Sequence, residues 1–191
     1  MAINFSTGTQ SAPVLQTRQF VRNAGIQTSY SSNTWTGVAA LEGSITPTSS
    51  SSYIRVKFIL PVAGGTSANS TIRVARKIGA GGSWGECDSV LQSTYPSDAG
   101  VSRPRGHHMS IWHTGSNWSI NWNIAIDLID RPNTTSTVFY RPEMMTDSTG
   151  TNYWGVNNPG NNGNGFSCAP CIMILEDVAS GFIGTYDGQA S

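Results

Sequence analysis

The chain has 191 residues, which is enough for one β-sandwich with a proper core and too short for two comfortable domains. Charged residues make up 12% of it, against about 25% in an ordinary soluble domain, and the formal net charge is zero. This balance excludes a strongly basic or acidic partner, and the 38% of hydrophobic residues with six tryptophans excludes a disordered chain.

Neither a targeting segment nor a nucleic-acid site is visible in the sequence. The start, Met1 to Phe5, lacks the charged residues and apolar run of a signal peptide, and no stretch approaches the roughly 18 apolar residues of a membrane span. The densest basic segment, 103–108, is short and interrupted by Pro104 and Gly106. We therefore expect a protein made in a cytoplasm, with no nucleic acid and no membrane among its partners.

Alternation of apolar and polar residues with a period of two runs through the chain, and helical spacing is nowhere convincing. A polar segment, 25–33, is predicted to be a loop, and Pro61 is predicted to end the third strand. The predicted strands are 14–21, 35–45, 54–60, 72–76, 108–112, 118–128, 137–144, 153–156 and 167–175. Eight or nine short strands predict an all-β fold, an antiparallel β-sandwich of jelly-roll type.

The strand at 118–128 shows the clearest division into a buried and a wet face. Its apolar residues occupy every second position, as expected where one face of an antiparallel sheet packs on a core. The strand at 54–60 repeats this pattern. The predicted core includes Ile54, Val56, Phe58, Ile120, Trp122, Ile124 and Ile126.

The connections predict one domain with two flanking segments. Loops rich in Gly, Ser, Thr and Asn are predicted at 46–52, 79–83 and 157–165, and no internal repeat or linker appears. Residues 1–13 are predicted to form an N-terminal arm, 14–178 the sandwich and 179–191 a C-terminal tail.

Three cysteines leave three alternatives open. Cys168 and Cys171 form a Cys-x-x-Cys motif, but zinc needs a second pair of ligands and none has the right spacing. A redox site needs the motif at the start of a helix, whereas here it precedes an apolar strand. We expect inert thiols and no cofactor or metal; a disulfide between Cys168 and Cys171 is the alternative.

Catalytic motifs are weak. The histidines, His107, His108 and His113, have no carboxylate close by in sequence to complete a metal site. There is no Gly-x-Ser-x-Gly motif and no phosphate-binding glycine loop. A glycan-degrading enzyme would need two of the carboxylates to meet. The candidates for such a pair are Asp127, Asp130, Glu176 and Asp177.

The tryptophans are the strongest remaining signal for a contact surface. Trp118 and Trp122 lie on the apolar face of a predicted strand and are expected in the core. Trp84, and Tyr153 with Trp154, lie beside glycine loops, which favours a protein interface or stacking on a sugar.

Three parts of the sequence resemble a family of small β-domains from tailed phages, cyanophages among them. They are 14–17 with 32–36, the Ser/Thr-rich turn and strand at 43–60, and the segment 129–140 with the terminal strand 172–178. Together they cover most of residues 14–178. The resemblance implies a virion protein, tail-fibre-like or of another kind, with a trimeric jelly-roll head, and it carries no catalytic residues.

Two functions on the outer surface of a virion follow from this resemblance. One is a homotrimeric capsid decoration (cement) protein that binds the major capsid protein, and the other is the tip of a tail fibre or appendage that binds a host-surface glycan. The missing stalk favours decoration, because no heptads or collagen-like repeats precede the first strand. The predicted attachment anchors are Ile3, Phe5, Phe182, Ile183 and Tyr186.

Overall fold

Antiparallel strands make up nearly all of the regular structure in the described ranges, which include one three-residue 3₁₀ turn. The computed structural model describes residues 14–23, 25–64, 70–87, 108–109, 121–147, 149–155 and 169–180. The strands are β1 Val14–Arg22, β2 Ile26–Tyr30, β3 Thr36–Gly37, β4 Gly43–Ile45, β5 Tyr53–Gly64, β6 Ser70–Ile78, β7 Gly85–Glu86, β8 His108–Met109, β9 Asn121–Asp130, β10 Val138–Thr146, β11 Gly150–Trp154 and β12 Cys171–Val178; the 3₁₀ turn is Ala39–Leu41. They form two antiparallel sheets, so the predicted all-β sandwich of jelly-roll type is confirmed.

The first sheet is organised around β5. This strand pairs with β9 from Ile54 to Ala63, with β12 as far as Ile59, and then with β11 from Val62 onward. β1 extends the sheet beyond β12, and β2 extends it beyond β11. β5 is therefore the strand through which the other five are connected.

The second sheet is organised around the pair β6 and β10. Their register runs without a break from Val138 opposite Ile78 to Thr146 opposite Ser70. On the far side of β10 lie β3 and β4, and on the far side of β6 lie β7 and β8. The second sheet thus presents one long central ribbon flanked by short strands.

The core lies between the two sheets and is built from alternate residues of their long strands. Predicted core residues Ile54, Val56, Phe58, Ile124 and Ile126 are all buried. Ile120 and the side chain of Trp122 fall outside what the structure describes. The largest fully buried side chains are Trp154, Tyr140, Phe58, Ile45, Ile54, Leu60, Ile72, Ile124, Met144, Leu175 and Val38.

The predicted stop at Pro61 is wrong. β5 continues through Pro61, which pairs with Asn123 of β9. Proline is tolerated because it lies between Ile59, the last partner of β12, and Val62, the first partner of β11, where no N–H is required. Its carbonyl still accepts a hydrogen bond of 2.8 Å from the backbone N–H of Gly155.

Two predicted elements before β5 are also corrected. The polar segment 25–33, predicted as a loop, contains β2, an edge strand whose inward residues Ile26, Thr28 and Tyr30 alternate with exposed ones. Thr28 at an inward position hid this alternation. The single strand predicted at 35–45 is two short strands, because the 3₁₀ turn at Ala39–Leu41 interrupts it.

The corner between β9 and β10 is stabilised by a side-chain hydrogen bond. Asn133 lies in the left-handed region with a φ of 53°, a conformation that Asn tolerates well. The backbone N–H of Ser136 donates to Oγ1 of Thr134 at 3.0 Å. This corner brings Asp130, at the end of β9, back toward β10.

Adjacent residues of β5 test the assignment of its two faces. Phe58 is 1% exposed in the core, whereas Ile59 is 41% exposed on the outer face. We expect Phe58→Ala to lower the free energy of unfolding by about 3–5 kcal/mol through loss of buried surface and creation of a cavity. Ile59→Ala is expected to cost about 1 kcal/mol or less in the monomer. Urea unfolding of both variants measures the difference, and equal losses would contradict the assignment.

Candidate functional site

The outer face of the second sheet carries a row of stacked cationic and aromatic side chains, here called the cation–aromatic ladder: Trp35, Arg73, Glu143, Arg141 and Trp84. The guanidinium carbon of Arg73 lies 4.2 Å from the ring centroid of Trp35, and that of Arg141 lies 3.9 Å from the ring centroid of Trp84. Glu143 connects the two arginines. Its Oε2 accepts from Arg73 at 2.7 and 2.9 Å, and its Oε1 accepts from Arg141 at 2.7 and 3.2 Å.

Strand alternation places these side chains together. Arg141 and Glu143 are two residues apart on β10, and Arg73 lies opposite Glu143 on β6. The Arg141 guanidinium crosses over Gly37 of β3, in the space that a Cβ atom at this position would occupy. A side chain at position 37 would therefore displace the guanidinium from its present place in the ladder.

A lysine extends the ladder at the Trp84 end. The Nζ of Lys77 lies 4.7 Å from the ring centroid of Trp84, 4.6 Å from that of Phe139 and 3.2 Å from a carboxylate oxygen of Glu42. Cation–aromatic contacts of this kind contribute about 0.5–1 kcal/mol each at exposed sites. The half-buried Trp84 ring is thus fixed in orientation while part of it stays accessible.

The aromatic residues predicted to make surface contacts do not come together. Trp84 belongs to the ladder on the second sheet, whereas Tyr153 is half-buried on β11 of the first sheet. The prediction that Trp154 makes a surface contact is wrong, because Trp154 is 0% exposed. Its Nε1 donates to the hydroxyl of Tyr30 at 3.0 Å. A ring enclosed in the core cannot stack on a sugar. Sequence reasoning missed Trp35 and both arginines, whose partners are distant in sequence.

Several predicted residues lie outside the described ranges, and the structure does not test their roles. The anchors belong to the arm and the tail, and Trp118, Cys168 and two of the histidines lie in further undescribed segments. The residues concerned are Ile3, Phe5, His107, His113, Trp118, Cys168, Phe182, Ile183 and Tyr186.

The four carboxylates considered for glycan hydrolysis are divided between the two faces of the first sheet. Asp127 and Glu176 lie on the outer face, where they bind Arg55 and Lys57. Asp130 and Asp177 lie on the inner face, and each is opposite Ile54 on a different neighbouring strand. These carboxylates therefore do not line a common cleft.

Asp130 connects the two sheets in the interior. Although 0% exposed, it accepts hydrogen bonds from Nη1 of Arg76 and from the hydroxyl of Tyr140, both at 2.7 Å. Burial, then the charge of Asp130, raise the pKa of Tyr140 well above its ordinary value. Burial lowers the pKa of Arg76, but the charge of Asp130 and its hydrogen bond more than offset this, so the pKa is raised. Arg76 therefore stays protonated and the phenol of Tyr140 stays neutral.

Asp177 fastens the Ser/Thr-rich loop to the end of β12. Its Oδ2 accepts from the backbone N–H of Thr48 at 2.7 Å and from Nε2 of Gln16 at 3.4 Å. Its Oδ1 and the hydroxyl of Ser52 are buried without a hydrogen-bond partner. The role that this geometry supports is loop attachment.

Cys171 begins β12 with its side chain in the core. Burial raises the pKa of this free thiol to about 11. A protonated, enclosed thiol is a poor nucleophile and a poor metal ligand. Within the part of the chain that the structure describes, no three His, Cys, Asp or Glu residues are grouped so that they could hold a metal ion. Nor is any described helix long and apolar enough to cross a membrane.

The fold and these surfaces define an antiparallel β-sandwich in which most charged groups form ion pairs with one another.

No protein-family profile matches the sequence, and no curated protein matches it significantly. Among solved structures, that of the Gx strain of infectious bursal disease virus is similar over 94% of this chain and 42% of that chain, with 8% identity and a TM-score of 0.36. A VP2 subviral particle of this virus is similar over 93% of this chain and 43% of that chain, with 10% identity and a TM-score of 0.39. The chain spans less than half the length of these proteins.

The buried Asp130 link can be tested by a double-mutant cycle. We expect Arg76→Met to lower the free energy of unfolding by about 3–5 kcal/mol, because it leaves the Asp130 carboxylate buried without its cation. The double variant Arg76→Met with Asp130→Leu is expected to lose less than the sum of the two single changes. Guanidinium unfolding at pH 7 measures all three.

The matched control for this cycle is Arg55→Met on the outer face. Arg55 also makes a salt bridge to an aspartate at 2.7 Å, but both partners there are well exposed to solvent. Removing an exposed pair is expected to cost about 0–1 kcal/mol. If Arg76→Met costs no more than Arg55→Met, the buried link does not stabilise the sandwich.

Cys171 provides a test based on pH. With a pKa of about 11, its thiolate fraction at pH 8 is expected to be about a hundredfold lower than that of an ordinary cysteine. Alkylation by iodoacetamide should be slow in the native protein at pH 8 and should accelerate as the pH rises toward 11. Peptide mapping by mass spectrometry gives the rate at this residue, with guanidinium-denatured protein as the control. Equal rates in native and denatured protein would show that the thiol is not enclosed.

Proposed function

We propose that this chain is a non-enzymatic structural protein on the outer surface of a tailed-phage virion, where it acts as a homotrimeric capsid decoration (cement) protein. The observation that carries the proposal is the use of the charged side chains. In the described ranges most of them form ion pairs with one another, chiefly across strands, rather than converging in a cleft.

The inner and outer carboxylates support a structural role over catalysis. A general acid or base must reach a substrate, whereas Asp130 is enclosed between Arg76 and Tyr140. Glu143 is 3% exposed and accepts from two arginines. Both groups serve as links between strands, as expected of a building block.

Exposed apolar side chains support self-association and docking on other virion proteins. A monomeric protein rarely exposes contiguous apolar surface, and such surface commonly marks an interface. With a net charge of zero, copies of this chain do not repel one another through their overall charge. The large hydrophobic residues with the greatest exposure are Val14, Leu15, Val21, Ile59 and Ile78.

The ends of the sandwich support attachment by the arm and the tail. Val14, the first residue of β1, lies opposite Val178, the last residue of β12. The predicted arm at 1–13 and tail at 179–191 therefore leave the sandwich side by side. A trimer would offer three such attachment points, and weak binding at each would combine through avidity.

The alternative function is a fibre or appendage tip that binds a host-surface glycan. Trp84 favours it specifically, because Arg141 and Lys77 orient its half-buried ring on the outer face of the second sheet. Ring faces held in this way suit stacking on a sugar. On this alternative, Trp84 would contact the host and the arm or tail would join a fibre.

Deletion of the arm or the tail tests the decoration proposal. We expect variants lacking residues 1–13 or 179–191 to keep the circular dichroism spectrum and trimeric mass of the full chain. Binding to expanded heads that lack the protein should fall at least tenfold, because the apolar anchors are lost. Co-sedimentation with such heads measures binding, and heat-induced DNA release from decorated heads measures the clamping effect.

Trp84→Ala is the control that separates the two functions. It removes the ladder ring while leaving both attachment segments, so head binding should be unchanged. If neither deletion alters head binding while Trp84→Ala abolishes adsorption to host cells, the decoration proposal is wrong and the host-binding tip is correct.

A further inference from the structure

An apolar row crosses the outer face of the first sheet, formed by Val21, Ile172, Ile59 and Ala125. The four residues are cross-strand neighbours on β1, β12, β5 and β9, in that order. Val21 is 49% exposed and Ile59 is 41% exposed, and Ala125 is exposed as well. With strands about 4.8 Å apart, the row is roughly 14 Å long.

Further apolar residues widen the row on both sides. Ile174 follows Ile172 at the next outward position of β12, and Pro61 follows Ile59 on β5; both are half-buried. The result is an apolar patch on the outer face of the sheet. Such a surface is typical of a protein–protein contact rather than of a pocket for a small ligand.

The charges beside the row are neutralised within the chain. Arg55 donates to both carboxylate oxygens of Asp127, at 2.8 and 2.7 Å, and Nζ of Lys57 lies 3.2 Å from Glu176. The net charge of these two cations and two carboxylates is therefore zero. These four groups offer no uncompensated charge to a nucleic acid, an acidic lipid surface or an anionic glycan.

The order of these charges across the strands is self-complementary. Glu176 on β12 and Asp127 on β9 flank the two cations of β5, so the sequence across the sheet is acid, base, acid. In a face-to-face pair displaced by one strand, Glu176 of each copy would face the β5 cations of the other. The apolar rows of the two copies would then be in contact. Closely matched charges of this kind favour a specific partner and fix its position.

We infer that the outer face of the first sheet, centred on the apolar row, is a face-to-face contact between two copies of this chain. A face that binds the same face closes as a two-fold pair, so this contact is separate from the one that would hold a trimer and goes beyond the proposed function. The partner is a second copy because it supplies both features that the face requires: an exposed apolar row, and neutral charge pairs in matching order.

The test compares two isoleucines with almost the same exposure on different sheets. Ile59 lies in the apolar row at 41% exposure, and Ile78 lies at the end of β6 in the second sheet at 40% exposure. We expect Ile59→Glu to raise the dissociation constant of the oligomer by about 30-fold or more, the size of a change at a hot-spot residue. Ile78→Glu is expected to leave it within about threefold. Sedimentation velocity over a range of concentrations measures both.

Val21→Glu keeps the test independent of any local effect at Ile59. It lies in the same row on the edge strand β1, and it should also weaken association about 30-fold. Unchanged circular dichroism and melting temperature of the monomer show that each variant is folded. Association lost in both row variants and retained in Ile78→Glu supports the inference.

The remaining outcomes overturn the inference without deciding the proposed function. If Ile59→Glu and Val21→Glu associate as the unaltered chain does, or if Ile78→Glu dissociates equally, the contact lies elsewhere. If the unaltered chain is a monomer at about 100 μM, far above the dissociation constants of specific interfaces, the inference fails as well. Binding of the unaltered chain to undecorated heads separately shows whether the virion role survives.

Discussion

A buried carboxylate holds the two sheets of this sandwich in one relative position. Asp130 ends β9 of the first sheet and binds Arg76 on β6 and Tyr140 on β10 of the second. An ion pair removed from water stabilises only when its geometry satisfies both charges, so this link tolerates little displacement of one sheet against the other. The turn at Asn133 allows Asp130 to contact Tyr140, because it leads the chain from the end of β9 into β10.

The scarcity of charge gives each ionic contact a definite role in the fold. The chain has eleven basic and eleven acidic residues among 191, and most of the ion pairs that the structure describes join two different strands. On one outer face Glu143 binds both Arg73 and Arg141, which leaves one net positive charge there, and on the other Arg55 and Asp127 form a neutral pair. Both faces consequently carry little net charge, which is unfavourable for recruiting a polyanion and suitable for packing against a protein surface.

The sequence predicted the long strands because their alternation is strong. In β5 and β9 apolar side chains occupy every inward position described except that of Asp130 at the end of β9, so strand type and inward face both followed from the pattern. β2 escaped prediction because Thr28 occupies an inward position, and Trp154 was placed on the surface because glycine neighbours suggested a loop. On β11 the inward residue before Trp154 is Asn152, and a polar residue at this position concealed the alternation. The structure shows that its amide donates to the sulfur of Met144. The ladder could not be predicted, since it depends on register between β6 and β10.

The two proposed surfaces lie on opposite sides of the sandwich, and this separates assembly from contact with the surroundings. If copies associate through the outer face of the first sheet, the ladder with Trp84 remains uncovered by that contact. Val14 and Val178 are paired at the far end of β1 and β12 from Val21 and Ile172, so the predicted arm and tail begin away from the apolar row. Association and attachment would then use different parts of the first sheet, while Trp84 lies on the other sheet. A decoration protein and a host-binding tip would therefore share this pairwise contact and differ in what binds the arm, the tail and the ladder.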